Sequence, residues 1–524
     1  MSHSESALFS ATGMRRIAAL SGGALLPLSF APFLLWPAVL LGLGLVYWLI
    51  KDVTHWRRGF AIGWLVGVGK YGLGASWIYV SIHEQGGASE SLAGVMVGLF
   101  VAGMALFSAL FGALYGFANQ RSEEDAPLPL SQALYPVCLF AAAWVVAEWC
   151  LTWLLTGFPW LFAGYGLMPT WLAGFAPVLG VLGLSFLACL LAGVAVVAGQ
   201  RLKQGHGLGA VVGPAALLIT IVLGGYLLTK VSWVALGSTH SVALVQGNIE
   251  QLTKWEPGNV RPILKTYENL SEDHWDAQLV IWPEAAITLF ASQAQPLFAR
   301  WGGRGKQTGT TLLLGVPDAE VLPDGSGEFQ NTAVALGEGS GRYIKRRLVP
   351  FGEYVPLETL LRGLIEFFDL PMSRSGSGPE QQPPLLARDV RLGLAICYEI
   401  AYPELVRTSA RSADVLVTIS NDAWFGASIG PHQHLQIAQM RALENGRYVL
   451  RGTNNGVTAI IDERGRVTGA LPQFQAAVLR GSYRTATGHT PFTLLGQLPV
   501  LIAVFSLLAS GIIGGKRGGI LRNA

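Results

Sequence analysis

The chain has 524 residues, of which 51% are hydrophobic and only 13% are charged. Its mean hydropathy of +0.43 is too high for a soluble protein of this size, so much of the chain is expected to lie in a membrane. The net charge of +3 is small, and the basic residues cluster at the ends of apolar segments, which argues against a nucleic-acid-binding surface. Residues from about 238 to 485 have instead the composition of an ordinary globular domain.

Membrane-spanning helices are predicted where about 20 successive residues are apolar. Eight segments meet this criterion: 17–31, 33–50, 59–80, 91–118, 131–153, 170–199, 207–229 and 491–514. Basic residues precede the first segment as in a signal peptide, but no cleavage site of small residues follows it, so it is interpreted as a retained span. Three domains follow: seven spans in residues 1–237, a globular domain in 238–485, and a last span with its tail in 486–524.

Lys and Arg in the short loops predict the orientation, because these residues favour the cytoplasmic side of a membrane. On an eight-span path, one side carries Arg15, Arg16, Lys51, Arg57, Arg58, Arg121, Arg201, Lys203, Lys516, Arg517 and Arg522. That side is predicted to be the cytoplasm, with both termini. The globular domain then lies outside, which is the periplasm in a bacterium with two membranes.

Ionisable residues are rare in the apolar half of the chain. Lys70 and Glu148 lie within predicted spans, where charged groups are costly and face protein or water. Three interpretations stay open for each: a functional group, a partner for another span, or a side chain that reaches the interface. A transporter would need more such groups and usually a repeat of spans, so transport is not favoured.

Short apolar strands alternate with helical patterns in the globular domain. The strands are predicted at 241–248, 279–282, 311–315, 332–336, 392–396, 415–419 and 457–461, and the helices at 258–270, 402–412 and 433–446. This alternation is typical of a layered α/β domain.

Cys397 ends one of these strands, just before a helical pattern. That position is predicted to favour the thiolate, the form of cysteine that attacks carbonyl groups. The three other cysteines lie in apolar segments, so no disulfide framework is predicted in the globular domain. The alternative is a buried structural cysteine.

Two more side chains that suit the same chemistry follow other strands. Trp282 and Pro283 precede Glu284 and can desolvate its carboxylate, which then serves as a general base for the thiol. Lys345 can stabilise an oxyanion, together with a backbone amide near Tyr398. Spacing alone also allows a solvated strand-end carboxylate and a lysine on a basic face.

Metal chemistry is not predicted. His432 and His434 are separated by one residue on a predicted helix, where their side chains diverge, and the sequence shows no third ligand near them. Arg441, Glu444 and Arg447 follow on the same helix at spacings that suit structural ion pairs. No cofactor is expected.

Motifs in both halves of the chain carry a resemblance to a known family. Those around the three side chains are Trp282-Pro283-Glu284, Tyr343-Ile344-Lys345 and Ile396-Cys397-Tyr398-Glu399, and they resemble the Glu-Lys-Cys signature of the nitrilase superfamily. More specific motifs occupy 348–356, 420–426 and 451–456, with Ser29-Phe30-Ala31-Pro32-Phe33 and Thr156-Gly157-Phe158-Pro159-Trp160 in the apolar half. Together they are similar to the apolipoprotein N-acyltransferase family.

The resemblance implies a nitrilase-like αββα sandwich on an α-helical membrane base of eight spans, in the bacterial inner membrane. Such enzymes move an acyl chain from a phospholipid to the α-amine of the diacylglyceryl-cysteine that begins an apolipoprotein. The reaction is a ping-pong cycle through a thioester. A monomer that binds no nucleic acid is expected. The alternative within enzymes is a membrane-tethered nitrilase-type amidase whose thioester is hydrolysed by water.

The resemblance also implies roles for individual residues. Cys397 is the nucleophile, Glu284 the base and Lys345 the oxyanion support, while Glu353 is a second carboxylate that orients Lys345 or assists proton transfer. The residues expected to bind substrate or shape the site are Trp255, Arg362, Tyr398, Glu399, Asn421 and Trp424.

Overall fold

The structure is a computed structural model that describes residues 3–119, 130–205, 207, 209–321, 327–354 and 375–522. The chain divides into two compact units. The helical unit comprises residues 1–78, 91–231 and 495–524, and the sheet unit comprises residues 79–90 and 232–494. Arg362 lies outside the described residues.

The described part of the helical unit consists of α-helices joined by short 3-10 turns. Its helices are His3–Leu25, Pro37–Ile50, Trp56–Gly74, Glu90–Ala118, Leu130–Cys150, Ala176–Lys203, Gly209–Leu228 and Leu498–Arg522. Four segments in this part of the chain are long and apolar enough to cross a membrane: Glu90–Ala118, Gln132–Cys150, Trp171–Lys203 and Val211–Leu228. Pro37–Ile50 and Leu498–Gly514 are apolar but shorter.

Each predicted span overlaps one of these helices, but the bounds differ. The first helix begins at His3 instead of residue 17, and the third ends at Gly74 instead of residue 80. Gly72 and Gly74 weaken the last turn of that third helix, because glycine is a poor helix former. A separate short helix, Trp77–His83, follows. The helical region is therefore established, while the count of eight spans stays a prediction.

Glycines allow close packing of two neighbouring helices in the helical unit. A Cβ atom added at Gly59 would meet the carbonyl group of Gly112, and one added at Gly63 would meet the carbonyl group of Ser108. Small residues of this kind let helix backbones approach each other where lipid supplies no hydrophobic driving force. The helices Trp56–Gly74 and Glu90–Ala118 therefore pack with their backbones almost in contact.

Lys70 and Glu148 form a buried ion pair. Lys70 Nζ lies 4.0 Å from Glu148 Oε1, and each side chain is only 3% exposed. The same oxygen accepts hydrogen bonds from the indole N–H of Trp144 at 2.8 Å and from the backbone N–H of Ala163 at 2.7 Å. Of the three interpretations, the geometry favours pairing between helices.

Lys70→Met is expected to destabilise the protein by about 3–5 kcal/mol, because it leaves the carboxylate of Glu148 buried without its cation. The double variant Lys70→Met with Glu148→Gln should recover most of that loss, since the amide oxygen can still accept from Trp144 and Ala163. Unfolding of purified protein in detergent, measured for both single variants and the double variant, gives the coupling free energy. Additive losses would contradict the pairing.

Thirteen strands form two sheets in the described part of the sheet unit. They are β1 Ala235–Gln246, β2 Leu279–Ile281, β3 Thr311–Val321, β4 Gly327–Gly337, β5 Gly339–Ser340, β6 Arg342–Ile344, β7 Leu385–Ala387, β8 Val390–Ile396, β9 Val415–Ser420, β10 Val449–Thr453, β11 Ala459–Ile461, β12 Val467–Ala470 and β13 Ala477–Thr487. One sheet has the order β13-β1-β2-β3-β4-β6 and the other β12-β11-β10-β9-β8-β7-β5. The neighbours β1-β2-β3 and β8-β9-β10 are parallel.

The hydrophobic core lies between the two sheets. Leu244 and Ile281 of one sheet pack in the same buried cluster as Ile396 and Val417 of the other. Alternate residues of β1, β2 and β3 point the other way, into a second cluster with the helices Val260–Ser271 and Gln295–Thr308. The helices Pro403–Ala410 and Gly430–Asn445 pack against the other sheet. This helix–sheet–sheet–helix order is the layered α/β architecture predicted from the sequence.

Candidate active site

Glu284 lies just beyond the carboxyl end of β2. Trp282 continues the pairing with β3, because its N–H donates to the carbonyl of Leu313 at 2.9 Å, and its side chain is fully buried. Glu284 is itself only 6% exposed. Its Oε2 accepts from the backbone N–H of Asn421 at 2.7 Å, and its Oε1 accepts from Asn331 Nδ2 at 2.6 Å. Both carboxylate oxygens are thus held in place by hydrogen bonds.

Lys345 follows β6 and extends its ammonium group between two carboxylates. Its Nζ lies 2.7 Å from Glu353 Oε1 and 3.3 Å from Glu284 Oε1, and the side chain is 1% exposed. Burial alone would lower the pKa of Lys345, but Glu353 and Glu284 outweigh burial and raise the pKa above its ordinary value. Lys345 is therefore a permanent cation at neutral pH.

Glu353 lies in the turn formed by residues 349–354. Its Oε2 accepts from the backbone N–H of Val349 at 2.8 Å, which leaves Oε1 directed at Lys345 and at Asn331 Nδ2, 3.3 Å away. Asn331 therefore donates to both carboxylates that flank the lysine. Asn331 was not predicted as a site residue, because it lies inside β4 and no recognisable motif surrounds it.

Cys397 directly follows β8 and has a strained backbone conformation. Its φ of +53° lies in the left-handed region, which is uncommon for a residue other than glycine. A 3-10 turn over Cys397–Ala401 follows, and the α-helix begins only at Pro403. The thiol interacts electrostatically with Glu284 and Lys345. The structure thus brings the cysteine, the lysine and both carboxylates into one cluster.

The protonation of the Cys397 thiol differs from the thiolate predicted from its position in the chain. Burial raises the pKa of the thiol, Glu284 raises it further, and Lys345 offsets only part of this effect. Because the α-helix starts six residues after Cys397, its N-terminus does not supply the expected stabilisation of a thiolate. The thiol is therefore protonated at neutral pH and needs a base.

Glu399 ties the end of β8 to the segment that follows Lys345. Its fully buried carboxylate accepts from the backbone N–H of Ile396 at 2.7 Å and from that of Arg346 at 2.6 Å. It also accepts from the hydroxyl of Tyr343, two residues before the lysine, at 2.9 Å. Glu399 is thus a link between the elements that carry the cysteine and the lysine.

Tyr398 packs beside this cluster, and its ring meets that of Tyr402 edge to face at 5.3 Å. Asn421, besides its backbone bond to Glu284, donates from Nδ2 to Gln251 Oε1 at 2.6 Å. Trp424 is half-buried, and its carbonyl accepts from Ser81 Oγ at 2.8 Å. Trp255 is also half-buried, and its indole nitrogen is buried with no hydrogen-bond partner among the described residues.

Lys254 is a second buried lysine near the carboxylate of Glu284. Its Nζ lies 3.5 Å from the backbone carbonyl of Glu284, and the side chain is fully buried. Burial lowers the pKa of Lys254 to about 8, although Glu284 acts in the opposite direction. Sequence reasoning missed this residue, although it directly precedes Trp255.

Two family models match the chain. The model for carbon-nitrogen hydrolases matches residues 241–485 and the model for the apolipoprotein N-acyltransferase N-terminal domain matches residues 22–194. The sheet unit, with its layered fold and its cluster of carboxylates, lysine and cysteine, is thus a domain of the carbon-nitrogen hydrolase class.

Similarity to curated proteins extends over both halves of the chain. An apolipoprotein N-acyltransferase from Pseudomonas aeruginosa is 42% identical over 500 residues, which cover 95% of each chain. One from Azotobacter vinelandii is 45% identical over 497 residues, which cover 94% of each chain. The chain belongs to the apolipoprotein N-acyltransferase family. Among solved structures, an amidase from a Nesterenkonia species is 19% identical with a TM-score of 0.33, covering 51% of this chain and 97% of that one.

Proposed function

We propose that this protein transfers an acyl chain from a phospholipid to the α-amine of the N-terminal diacylglyceryl-cysteine of an apolipoprotein. The 42% identity with a named apolipoprotein N-acyltransferase, over 95% of both chains, supports the overall reaction. The observation that carries the residue assignment is the position of Lys345 between Glu284 and Glu353, where its charge also acts on the Cys397 thiol. The protein acts as a monomer.

In the first half-reaction, Glu284 accepts the thiol proton while Cys397 Sγ attacks the ester carbonyl of the phospholipid. The negative charge that develops on the carbonyl oxygen is stabilised by Lys345 Nζ and by a backbone amide near Tyr398. The ester C–O bond then breaks. Glu284 returns the proton to the departing lysophospholipid oxygen, which leaves an acyl thioester on Cys397.

In the second half-reaction, the α-amine of the apolipoprotein attacks the thioester carbonyl and transfers a proton to Glu284. The same cation and backbone amide stabilise the second oxyanion. The C–S bond breaks, the sulfur recovers the proton, and the amide product leaves. A single base and a single cation therefore serve both halves of a ping-pong cycle.

The surrounding residues support these groups. Glu353 fixes the ammonium of Lys345, and Glu399 and Asn421 hold the segments that carry Lys345, Cys397 and Glu284. Trp255, Trp424 and Tyr398, together with Arg362, shape the site and contact substrate.

The proposed setting is the bacterial inner membrane, which eight spans cross so that both termini lie in the cytoplasm. The sheet unit then lies on the periplasmic face. The asymmetry of Lys and Arg between the loops supports this orientation. An ester carbonyl lies close to the membrane surface, so a catalytic domain borne on a membrane base is suited to reach it.

Thioester formation on Cys397 is the test of this proposal. Purified protein incubated with phospholipid should gain the mass of one acyl chain on the peptide that contains Cys397, and Cys397→Ala should gain none. A diacylglyceryl-cysteine peptide should then discharge the adduct and appear as the triacylated product by mass spectrometry.

The rate of discharge separates the transferase from the hydrolase. Loss of the adduct in water as fast as with the peptide would favour the amidase alternative. A wild-type protein that is folded in detergent, binds phospholipid and never forms the adduct would overturn the proposal.

A further inference from the structure

A buried polar network lies behind the cysteine turn, which is defined here as residues Ile396–Tyr398. The network consists of Ser420, Asp422, His434 and Arg451, all of which are at most 1% exposed. Ser420 Oγ donates to Asp422 Oδ1 at 2.5 Å, and Arg451 Nη2 donates to Asp422 Oδ2 at 2.5 Å. Burial opposes ionisation of Asp422, but Arg451, His434 and Ser420 together outweigh burial and hold the pKa of Asp422 far below its ordinary value.

The network reaches the cysteine turn at two points: Ser420 forms a side-chain hydrogen bond with the Cys397 thiol, and the ring of His434 approaches the backbone carbonyl. His434 Nε2 lies 3.1 Å from the backbone carbonyl oxygen of Cys397. On the other side of the ring, Nδ1 lies 3.2 Å from Arg451 Nη2 and 3.1 Å from Asp422 Oδ1. Among the described residues, His434 is the side chain that forms a hydrogen bond with the carbonyl of Cys397.

The chemistry of these neighbours decides which ring nitrogen carries the proton. With the proton on Nε2, the ring donates to the carbonyl of Cys397 and accepts from Arg451 at Nδ1, so two of the three contacts are favourable. With the proton on Nδ1, only the contact with Asp422 is favourable, and Nε2 faces a carbonyl oxygen with a lone pair. Burial and then Arg451 lower the pKa of His434 in spite of Asp422, so the ring is neutral at neutral pH.

The cysteine turn needs such an anchor because its backbone is strained. A left-handed conformation at a residue with a side chain costs of order 1–3 kcal/mol and persists only where the surroundings impose it. The carbonyl of Cys397 belongs to the same planar peptide as the N–H of Tyr398, so a bond that fixes the first also fixes the second. A hydrogen bond from His434 therefore fixes the peptide plane that follows Cys397 and, with it, the direction of a neighbouring backbone donor.

We propose that His434 is a positioning residue whose neutral ring donates from Nε2 to the carbonyl of Cys397 and thereby holds the thiol towards Glu284 and Lys345. Asp422 and Arg451 fix the ring from behind. The role in acyl transfer rests on the proposed function, but the effect on the thiol does not. A displacement of a reacting atom by about 1 Å lowers the reaction rate roughly 100-fold.

Two substitutions of His434 test the donation. The amide nitrogen of glutamine reaches the place of Nε2, whereas that of asparagine reaches only the place of Nδ1. We expect His434→Asn to lower the rate of thioester formation from phospholipid about 100-fold, and His434→Gln to retain most of the wild-type rate. Alkylation of Cys397 by iodoacetamide, followed on its own peptide by mass spectrometry, should show the same order.

The alkylation keeps this inference separate from the proposed function. A wild-type protein that is alkylated but never acylated would refute the acyl transfer, while the ranking of the two variants by iodoacetamide would still decide the role of His434. Equal rates in both variants, with melting temperatures close to wild type, would overturn the inference.

If both variants unfold, the inference can still be tested on the wild-type protein, by measuring which ring nitrogen of His434 carries the proton. Protein labelled with ¹⁵N in histidine shows by long-range ¹⁵N–¹H spectra which ring nitrogen is protonated, and the signals of fully buried His434 are those that do not titrate near neutral pH. A proton on Nε2 is expected. A buried ring protonated only at Nδ1 would overturn the inference.

Discussion

Glu284→Gln is expected to slow thioester formation on Cys397 by about 10²–10⁴-fold at neutral pH, the usual contribution of a general base. The thiol is protonated there, because burial and the charge of Glu284 raise its pKa. Glutamine matches glutamate in size and keeps one oxygen, which can accept from Asn331 Nδ2 or from the backbone N–H of Asn421 but not from both, and it cannot accept the thiol proton. The variant should therefore lose one buried hydrogen bond, a cost of about 1–3 kcal/mol, while the chemistry fails.

The dependence on pH distinguishes loss of a base from loss of structure. Since the pKa of the thiol is raised, the thiolate fraction grows as the pH rises, and hydroxide then replaces the missing base. The deficit of Glu284→Gln should narrow towards alkaline pH. Glu272→Gln removes an exposed carboxylate paired with Arg304 and is the matched control. Wild-type rates in Glu284→Gln at neutral pH would exclude Glu284 as the base.

Lys345→Met is expected to slow thioester formation by about 10²–10³-fold, the typical effect of removing one donor to an oxyanion. It should also destabilise the sheet unit by about 3–5 kcal/mol, because Glu284 and Glu353 then face each other without the cation between them. Lys306→Met, at an exposed position of the helix Gln295–Thr308, is the matched control. Both effects are measured on protein purified in detergent.

Stability as a function of pH separates these two effects. In the wild type, the raised pKa of Lys345 adds stability at all pH values below the ordinary lysine pKa, and this is lost only as the pH rises through the folded value. Lys345 therefore causes no change in the stability of the wild type near neutral pH. In Lys345→Met this contribution is absent, so the alkaline loss of stability that Lys345 causes should disappear. A variant that loses stability at alkaline pH as steeply as the wild type would contradict this arrangement.

Local sequence patterns predicted the strands that carry the site. The predicted strands at 279–282, 392–396 and 415–419 correspond to β2, β8 and β9, because each is a short run of buried aliphatic residues between polar ones. Strands β10 and β13 and the helix Gln295–Thr308 were not predicted. The half-buried pattern of β13 does not distinguish an outer strand from a loop, since pairing with β1 determines its conformation.

The candidate site was predictable only where a residue lies in a motif. Glu284, Lys345, Glu353 and Cys397 were expected together, and the structure places them in one cluster. The hydrogen bonds from Asn331 to Glu284 and Glu353 could not be predicted from the sequence, because they depend on which strands become neighbours in the sheet. The thiolate expectation was wrong for a related reason: burial and the carboxylate of Glu284 are properties of the folded surroundings, not of the position between strand and helix.

The pairing of β1 with β13 has a consequence for biosynthesis. Ala235 and Thr487 are partners in this ladder although 252 residues separate them, so the first and last strands of the sheet unit lie side by side. While the ribosome makes the intervening residues, one edge of β1 exposes unsatisfied amide and carbonyl groups to any strand that approaches. Late closure of this kind slows folding and invites mispairing. A nascent chain of this protein therefore depends on protection of that edge until its final strand emerges.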